Sequence, residues 1–254
     1  MKNMINFYEK NSIEILFANS NHNFPLHSHE SFCFGIIEEG EVDFTINGKS
    51  RLLYPGNAYI IPSNVGVIIQ AEKRYRYITI CIKNDWKEQL KYLEFNDYFL
   101  TFPSSEVIHK MCVNYITKGS AEKLVRSLTN LMKPVIADKT EHHKEKIKSG
   151  IVEEARRYIR RNAHEKFCLD TLADAIHVSK YYLVKIFKKE MGVTPNQYYI
   201  QAKMYLVKKG IIEYRKEVDL AMELNFNDQS HLCNLFKKQM GISLQDYKKN
   251  FQRL

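Results

Sequence analysis

The first hundred residues alternate short apolar runs with turn-forming residues. SFCFGII, EVDFTI, AYIIP, VGVIIQ and RYITICI are rich in β-branched and aromatic side chains, and EEG, NGK and PGN stand among them. Runs of this length, punctuated by Gly, Pro and Asn, predict an antiparallel barrel or sandwich. From Ser104 the period lengthens: EVIHKMCVNYI and AEKLVRSLTNLMKPVI carry apolar residues at threes and fours, with Gly119 between them. They predict two helices trailing the strands. The polar stretch ADKTEHHKEKIKSG then separates these elements from a remainder that is helical throughout. The expected organisation is α+β in two domains: a β-barrel with two trailing helices over 1–138, a linker over 139–149, and an all-α domain over 150–254.

The helical remainder contains a repeat. FKKEMGVTPNQY, from Phe187, returns 49 residues later as FKKQMGISLQDY, with six of twelve positions identical. Upstream, Leu172-Ala173 corresponds to Leu220-Ala221, Ile176 to Leu224 and Val178 to Phe226 at an offset of 48, and Leu183 to Leu232 at 49. One residue is therefore inserted in the second turn. Each copy reads as a helix with an inward Leu-Ala, a turn entered through a capping residue (Ser179, Asn227), and a second helix whose Leu, Ile or Leu, and Phe face inward. That is a helix-turn-helix, twice. PNQYYIQAKMYLVKKGII, opening with the first-turn residue Pro195, lies between them as a longer helix. The outward face of the second helix of such a unit can enter a major groove while flanking lysines meet phosphates. The plain alternative is two helical hairpins packed as a scaffold.

Charge weighs against that alternative. Residues 1–143 hold 16 Lys+Arg and 16 Asp+Glu, whereas 144–254 hold 22 and 13, so the whole net charge of +9 belongs to the helical half. A basic half calls for a polyanion, nucleic acid first and a membrane surface second. The five cysteines form no C-x-x-C pair, which points to buried thiols rather than a disulfide framework or zinc ribbon. With no apolar run of membrane-spanning length and no leader pattern at MKNMINFYEKNSIEILF, the chain reads as cytoplasmic, with no membrane partner.

LADAIHVSKYYLVKIFKKEMGVTPNQY and LAMELNFNDQSHLCNLFKKQMGIS resemble the AraC family of bacterial transcription regulators. The resemblance implies one seven-helix unit in which the helix from Pro195 sets both recognition helices toward successive major grooves of double-stranded DNA. It further implies an activator that works with RNA polymerase. Carried over, the base-facing positions are Tyr181, Val184 and Lys185 in the first motif and Gln229, His231 and Asn234 in the second, with Lys188 and Lys237 as further DNA-binding residues. Lys185 and Asn234 stand where the family commonly has arginine, Asn225 where it has the turn glycine, and Leu244 where it has the proline matched by Pro195. Asn tolerates positive φ better than most residues, so the turn survives.

FPLHSHESFCFGIIEEGEVDFTINGKSRLLYPGNAYIIPSNVG is similar to the cupin-type arm that often precedes this unit. His27 and His29 have the spacing by which a metal-binding cupin strand presents two imidazoles on one face. However, the metal cupins' glutamate position falls on Cys33 and their last histidine on Val67, and valine cannot ligate. The expectation is no metal and no cofactor, with His27, His29 and Cys33 lining a site for a small effector. A metal-dependent cupin enzyme with a helical appendage is the alternative. Catalytic DNA repair would need an activated nucleophile, and neither Cys168 nor Cys233 has a His and an acid at a recognisable spacing. The resemblance also implies a homodimer formed through the two trailing helices.

Overall fold

A computed structural model describes residues 2–83, 86, 89–90, 93–137 and 150–254. The expected linker over 139–149 lies outside the described residues. Among the described residues, eleven strands run in chain order: β1 (Met4–Lys10), β2 (Ile13–Ser20), β3 (Phe24–Ser28), β4 (Phe32–Glu39), β5 (Val42–Ile46), β6 (Lys49–Leu53), β7 (Asn57–Ile61), β8 (Gly66–Gln70), β9 (Tyr75–Ile82), β10 (Phe99–Thr101) and β11 (Phe251–Arg253). They form a seven-stranded sheet, β10-β7-β4-β9-β2-β1-β11, and a four-stranded sheet, β3-β8-β5-β6. The expected barrel is instead a pair of open sheets, because period-two alternation fixes which face is buried but not whether the edges meet. The hairpin at Asn47-Gly48, with φ of 51° and 78°, has the two left-handed residues that a tight β5–β6 connection needs.

The large sheet is apolar on both faces. Cys33, Ile37, Tyr59, Ile61, Tyr75, Tyr77 and Cys81 face the small sheet, whereas Phe32, Phe34, Ile36, Ile60, Ile78 and Ile80 face the other way. Gly35 makes room on the inner face, since a Cβ there would fall 2.1 Å from the Tyr59 ring. Tyr59 thereby reaches Thr79 Oγ1 at 2.7 Å and stacks on Phe44 of the small sheet. The outer face is covered by α1 (Glu106–Thr117) and α2 (Ala121–Met132), through Ile108, Cys112 and Tyr115 and through Leu124, Val125, Leu128 and Met132. Both predicted helices therefore have an apolar stripe seated on the sheet.

Beyond the linker come α3 (Gly150–Arg161), α4 (Leu169–Ala175), α5 (Lys180–Met191), α6 (Pro195–Ile212), α7 (Glu217–Glu223), α8 (Gln229–Met240) and α9 (Leu244–Asn250). These are the seven helices that the resemblance implies. The first motif has its own core, in which Val152, Ala155 and Ile159 meet Leu172, Leu183, Phe187, Met191 and Tyr198. The second shares the inner core of the sandwich: Leu220, Leu232, Phe236 and Tyr247 are buried in one cluster with Ile5, Phe7 and Cys33. Tyr247 is the joint, with its ring 4.9 Å from Phe7, 5.6 Å from Phe236 and 5.7 Å from Phe251.

The helical half is not all α. Residues 251–253 pair in parallel with β1, Phe7 opposite Phe251, and extend the large sheet. LQDYKKNF reads as a helix to its end, but the chain turns extended at Phe251 because the open edge of β1 offers backbone partners.

Candidate nucleic-acid interface

Both motifs are assembled by local chemistry. In the first, the turn passes through His177 at φ 56°, Ser179 caps α5 by accepting from Tyr182 N, and Gly192 ends the helix left-handed at φ 68°. In the second, Asn225 takes the equivalent place at φ 50°, and Gly241 ends α8 at φ 75°. Asn225 thus replaces the turn glycine without loss of the turn. The cap of α8 is Asp228, which accepts from His231 N at 2.7 Å, and not the expected Asn227. The inserted residue shifts the cap by one position, and the carboxylate also suits the positive end of the helix.

The helix between the motifs starts on a Thr194–Gln197 capping box with Pro195 in its first turn. Leu244 holds the place matched by Pro195. Ser243 starts that helix instead, accepting from Asp246 N at 3.1 Å, and Leu244 is buried.

On α5, Tyr181 is 80% exposed, Lys185 and Lys188 are exposed, and Val184 is half-buried. On α8, Gln229, His231, Asn234 and Lys237 are all exposed. Two of these have local partners: Gln229 Nε2 donates to Glu217 Oε2 at 3.0 Å, and His231 Nδ1 accepts from Asn227 N at 3.4 Å with its ring beside Phe226. Tyr182, 48% exposed beside Tyr181, belongs to the same outward surface and was not among the expected residues. Its place in the first turn after Ser179 was the available signal. Lysines 188 and 189 end α5, and Lys237 and Lys238 end α8, where cations suit the negative helix end.

The sensor-side residues divide. His27 and His29 lie with ring centroids 4.9 Å apart, and His27 Nδ1 donates to Pro25 O at 2.7 Å. Burial pushes the imidazole of His29 down to about 3, helped by the neighbouring His27 and Lys208, and also lowers His27. Cys33 instead turns into the sandwich, its Sγ 3.2 Å from Cys81 Sγ and 3.3 Å from Ser31 Oγ. Val67 stands directly opposite His27 across β3 and β8 and is fully buried. A metal at His27 and His29 would face a valine where a third donor is needed, so these residues do not fit a metal centre.

The histidine-bearing strand touches the helical half. Gln201 of α6, in the orientation that satisfies both ends of its carboxamide, donates to Ser28 O at 3.0 Å and accepts from Ser28 N at 3.1 Å. Glu30 accepts from Arg160 Nε at 3.0 Å and from Tyr198 Oη. Both recognition helices also end against the sandwich. A Cβ on Gly192 would lie 2.4 Å from Gly66 N, and one on Gly241 would lie 3.0 Å from the His22 ring. Here the repeated Met-Gly stop acquires a second purpose, since only glycine permits both the left-handed turn and so close an approach.

A β-sandwich with an inward aromatic core, joined to two capped helix-turn-helix units with basic outward faces, defines a two-domain DNA-binding architecture. Residues 172–250 match the family model described as a helix-turn-helix domain, and residues 11–97 match the one described as an AraC-like ligand binding domain. The chain belongs to the AraC family. It is 30% identical over 106 residues to an HTH-type transcriptional regulator in the cgkA 5' region of Pseudoalteromonas carrageenovora, a match covering 42% of this chain and 63% of that protein. It is also 23% identical over 236 residues to the HTH-type transcriptional regulator YbfI of Bacillus subtilis, covering 82% of this chain and 81% of the relative. The fold is similar to the crystal structure of ToxT from Vibrio cholerae O395, with a TM-score of 0.62 at 13% identity over 95% of this chain and 98% of that one. No helix among the described residues is long and apolar enough to cross a membrane.

Proposed function

We propose that this protein is a sequence-specific regulator of transcription that binds double-stranded DNA through 150–254 and a small effector through 1–138. The observation that carries the reading is the duplicated motif: two capped helices present outward faces from 150–254, which holds 19 Lys+Arg against 12 Asp+Glu. Tyr181, Val184, Lys185, Gln229, His231 and Asn234 are the base-facing set, with Lys188 and Lys237 on phosphates. The protein acts in the cytoplasm as a homodimer and activator in contact with RNA polymerase, and it is not an enzyme. Its effector meets His27 and His29 on the strand that Gln201 straps to α6, with Cys33 behind them, so that ligand binding moves the inter-motif helix. Selection of duplexes by the full-length protein tests the reading. A consensus should emerge, and affinity should fall steeply with salt as several phosphates exchange counterions for Lys and Arg. Recovery of unenriched sequence, with no binding at low salt, would contradict it.

A further inference from the structure

Lys203 lies midway along α6 and is only 5% exposed. Its Nζ donates to Tyr199 Oη at 2.6 Å and to Asn225 O at 3.4 Å, and sits 4.7 Å over the Phe226 ring. Tyr199 Oη in turn donates to Glu165 O at 2.7 Å, and Asn225 Nδ2 donates to His164 O at 3.0 Å. These four bonds close a ring. His164 and Glu165 belong to the loop that leads from α3 into α4, the first helix of the first motif. Asn225 is the left-handed turn residue of the second. The ring therefore joins the two helix-turn-helix units directly, with α6 as its third side.

The chemistry of the ring is costly for packing alone. An ammonium held by a hydroxyl and a carbonyl is desolvated without a carboxylate in contact, and burial pulls Lys203 down to about 8, with Glu165 acting in the opposite sense. A methionine would fill similar space without that penalty. Asn225 shows the same preference for geometry, since glycine would take the left-handed turn more readily but could not reach His164 O. Buried polar groups of this kind earn their place by fixing one arrangement among several.

We propose that Lys203 and Asn225 are positioning residues that fix the offset between the two recognition helices, and thereby the number of base pairs required between the two half-motifs of the DNA site. The inference rests on both helices reading DNA. Its test uses the full-length protein, a duplex selected by it from a random pool, and versions of that duplex with one base pair inserted or removed between the half-motifs. The wild type should lose on the order of tenfold in affinity per altered spacing, the size of a typical lost base-pair match. Lys203→Met should bind the native spacing nearly as well, reduce that spacing penalty to less than about threefold, and melt no lower than the wild type. Lys203→Arg, which keeps a cationic donor, should restore the penalty. Asn225→Gly keeps the turn but not the bond to His164, so it should relax spacing like Lys203→Met and decides the matter if that variant does not fold. Variants that fold yet keep the full penalty overturn the inference, as does a wild type indifferent to spacing. A wild type that binds no selected duplex overturns the DNA reading and this inference with it.

Discussion

Glu30 and Arg160 meet across the two halves of the chain: the carboxylate follows directly on the His27-x-His29 strand, and the guanidinium ends α3. Arg156 Nη2 approaches the same Glu30 oxygen at 3.6 Å, and Tyr198 Oη donates to it. Together these groups tie the sensor to the first motif, as Tyr247 and β11 tie it to the second. Glu30 is half-exposed, so solvent screening keeps the tie modest, on the order of 1 kcal/mol. Glu30→Ala should speed amide exchange in α3 and the first turn of α6 about two- to fivefold and leave α1 and α2 unchanged. Uniform acceleration across the chain would mean that the contact supports the whole fold and not the junction.

The C-terminal strand gives a second prediction. Phe251, Gln252 and Arg253 pair with Phe7, Tyr8 and Glu9, and Leu254 N donates to Glu9 O at 2.9 Å. Deleting 251–254 removes this pairing and the Phe251 ring from Tyr247. Thermal unfolding should shift down by about 2–4 °C, the response of a domain of this size to ~1 kcal/mol. An unchanged midpoint would show that β11 only rests on the sheet edge.

The half-buried histidines predict a pH dependence. His29 sits at about 3 in the folded protein against an ordinary value of 6.5, so the unfolded chain binds more protons between these limits. Stability is therefore fully present above about 6.5 and is lost as pH falls through that window, by at most about 1.4 kcal/mol per pH unit for one group. Glu14, held down to about 2 by Lys208 and Lys83 against the opposing effect of burial, adds a loss of the same sign below 4.5. Melting at pH 7, 6 and 5 should fall more steeply for the wild type than for His29→Gln. Parallel curves would place the acid sensitivity elsewhere.

Much of this organisation was legible in the residues, and what was not has physical causes. The motifs could be read because Leu172, Leu183 and Phe187, and their counterparts Leu220, Leu232 and Phe236, repeat at helical spacing and all are buried. Of the sandwich, β4, β5, β7, β8 and β9 were legible as apolar runs, whereas the exposed β6 and the three-residue β10 were not. MINFYEK and IEILFANS were missed because polar residues interrupt both runs, and their pairing with each other and of IEILFANS with the distant β9 leaves no local mark. Closure of the sheets, the strand at Phe251 and the Asp228 cap depend on partners distant in sequence or on a one-residue insertion, and no local pattern encodes them. The joint between the halves was likewise hidden. Gly192 and Gly241 read as helix stops, and nothing nearby announces that Gly66 and His22 will lie against them.

The two recognition helices should divide their work unequally. Lys185→Ala should cost about 1–3 kcal/mol and relax one or two base pairs if the ammonium reaches a guanine edge, or weaken all sequences alike and lower the salt slope by about one if it meets a phosphate. Asn234 offers a carboxamide that matches adenine better than guanine. Asn234→Arg should shift the preferred base toward guanine in a repeated selection. A native consensus strictest under α8, with guanine opposite Asn234, would show that the assigned register of that helix is wrong.

The measurement that bears most directly on the whole account is hydroxyl-radical and base-methylation footprinting of the full-length protein on its selected duplex. If α5 and α8 both read DNA from one rigid unit, protection should appear in two successive major grooves on one face of the duplex, about ten base pairs apart. Tyr181→Ala with Lys185→Ala should then clear one groove, and Gln229→Ala with Asn234→Ala the other. Protection confined to one groove, or a footprint that both double variants leave intact, would contradict the claim that the duplicated motif is the DNA-reading surface.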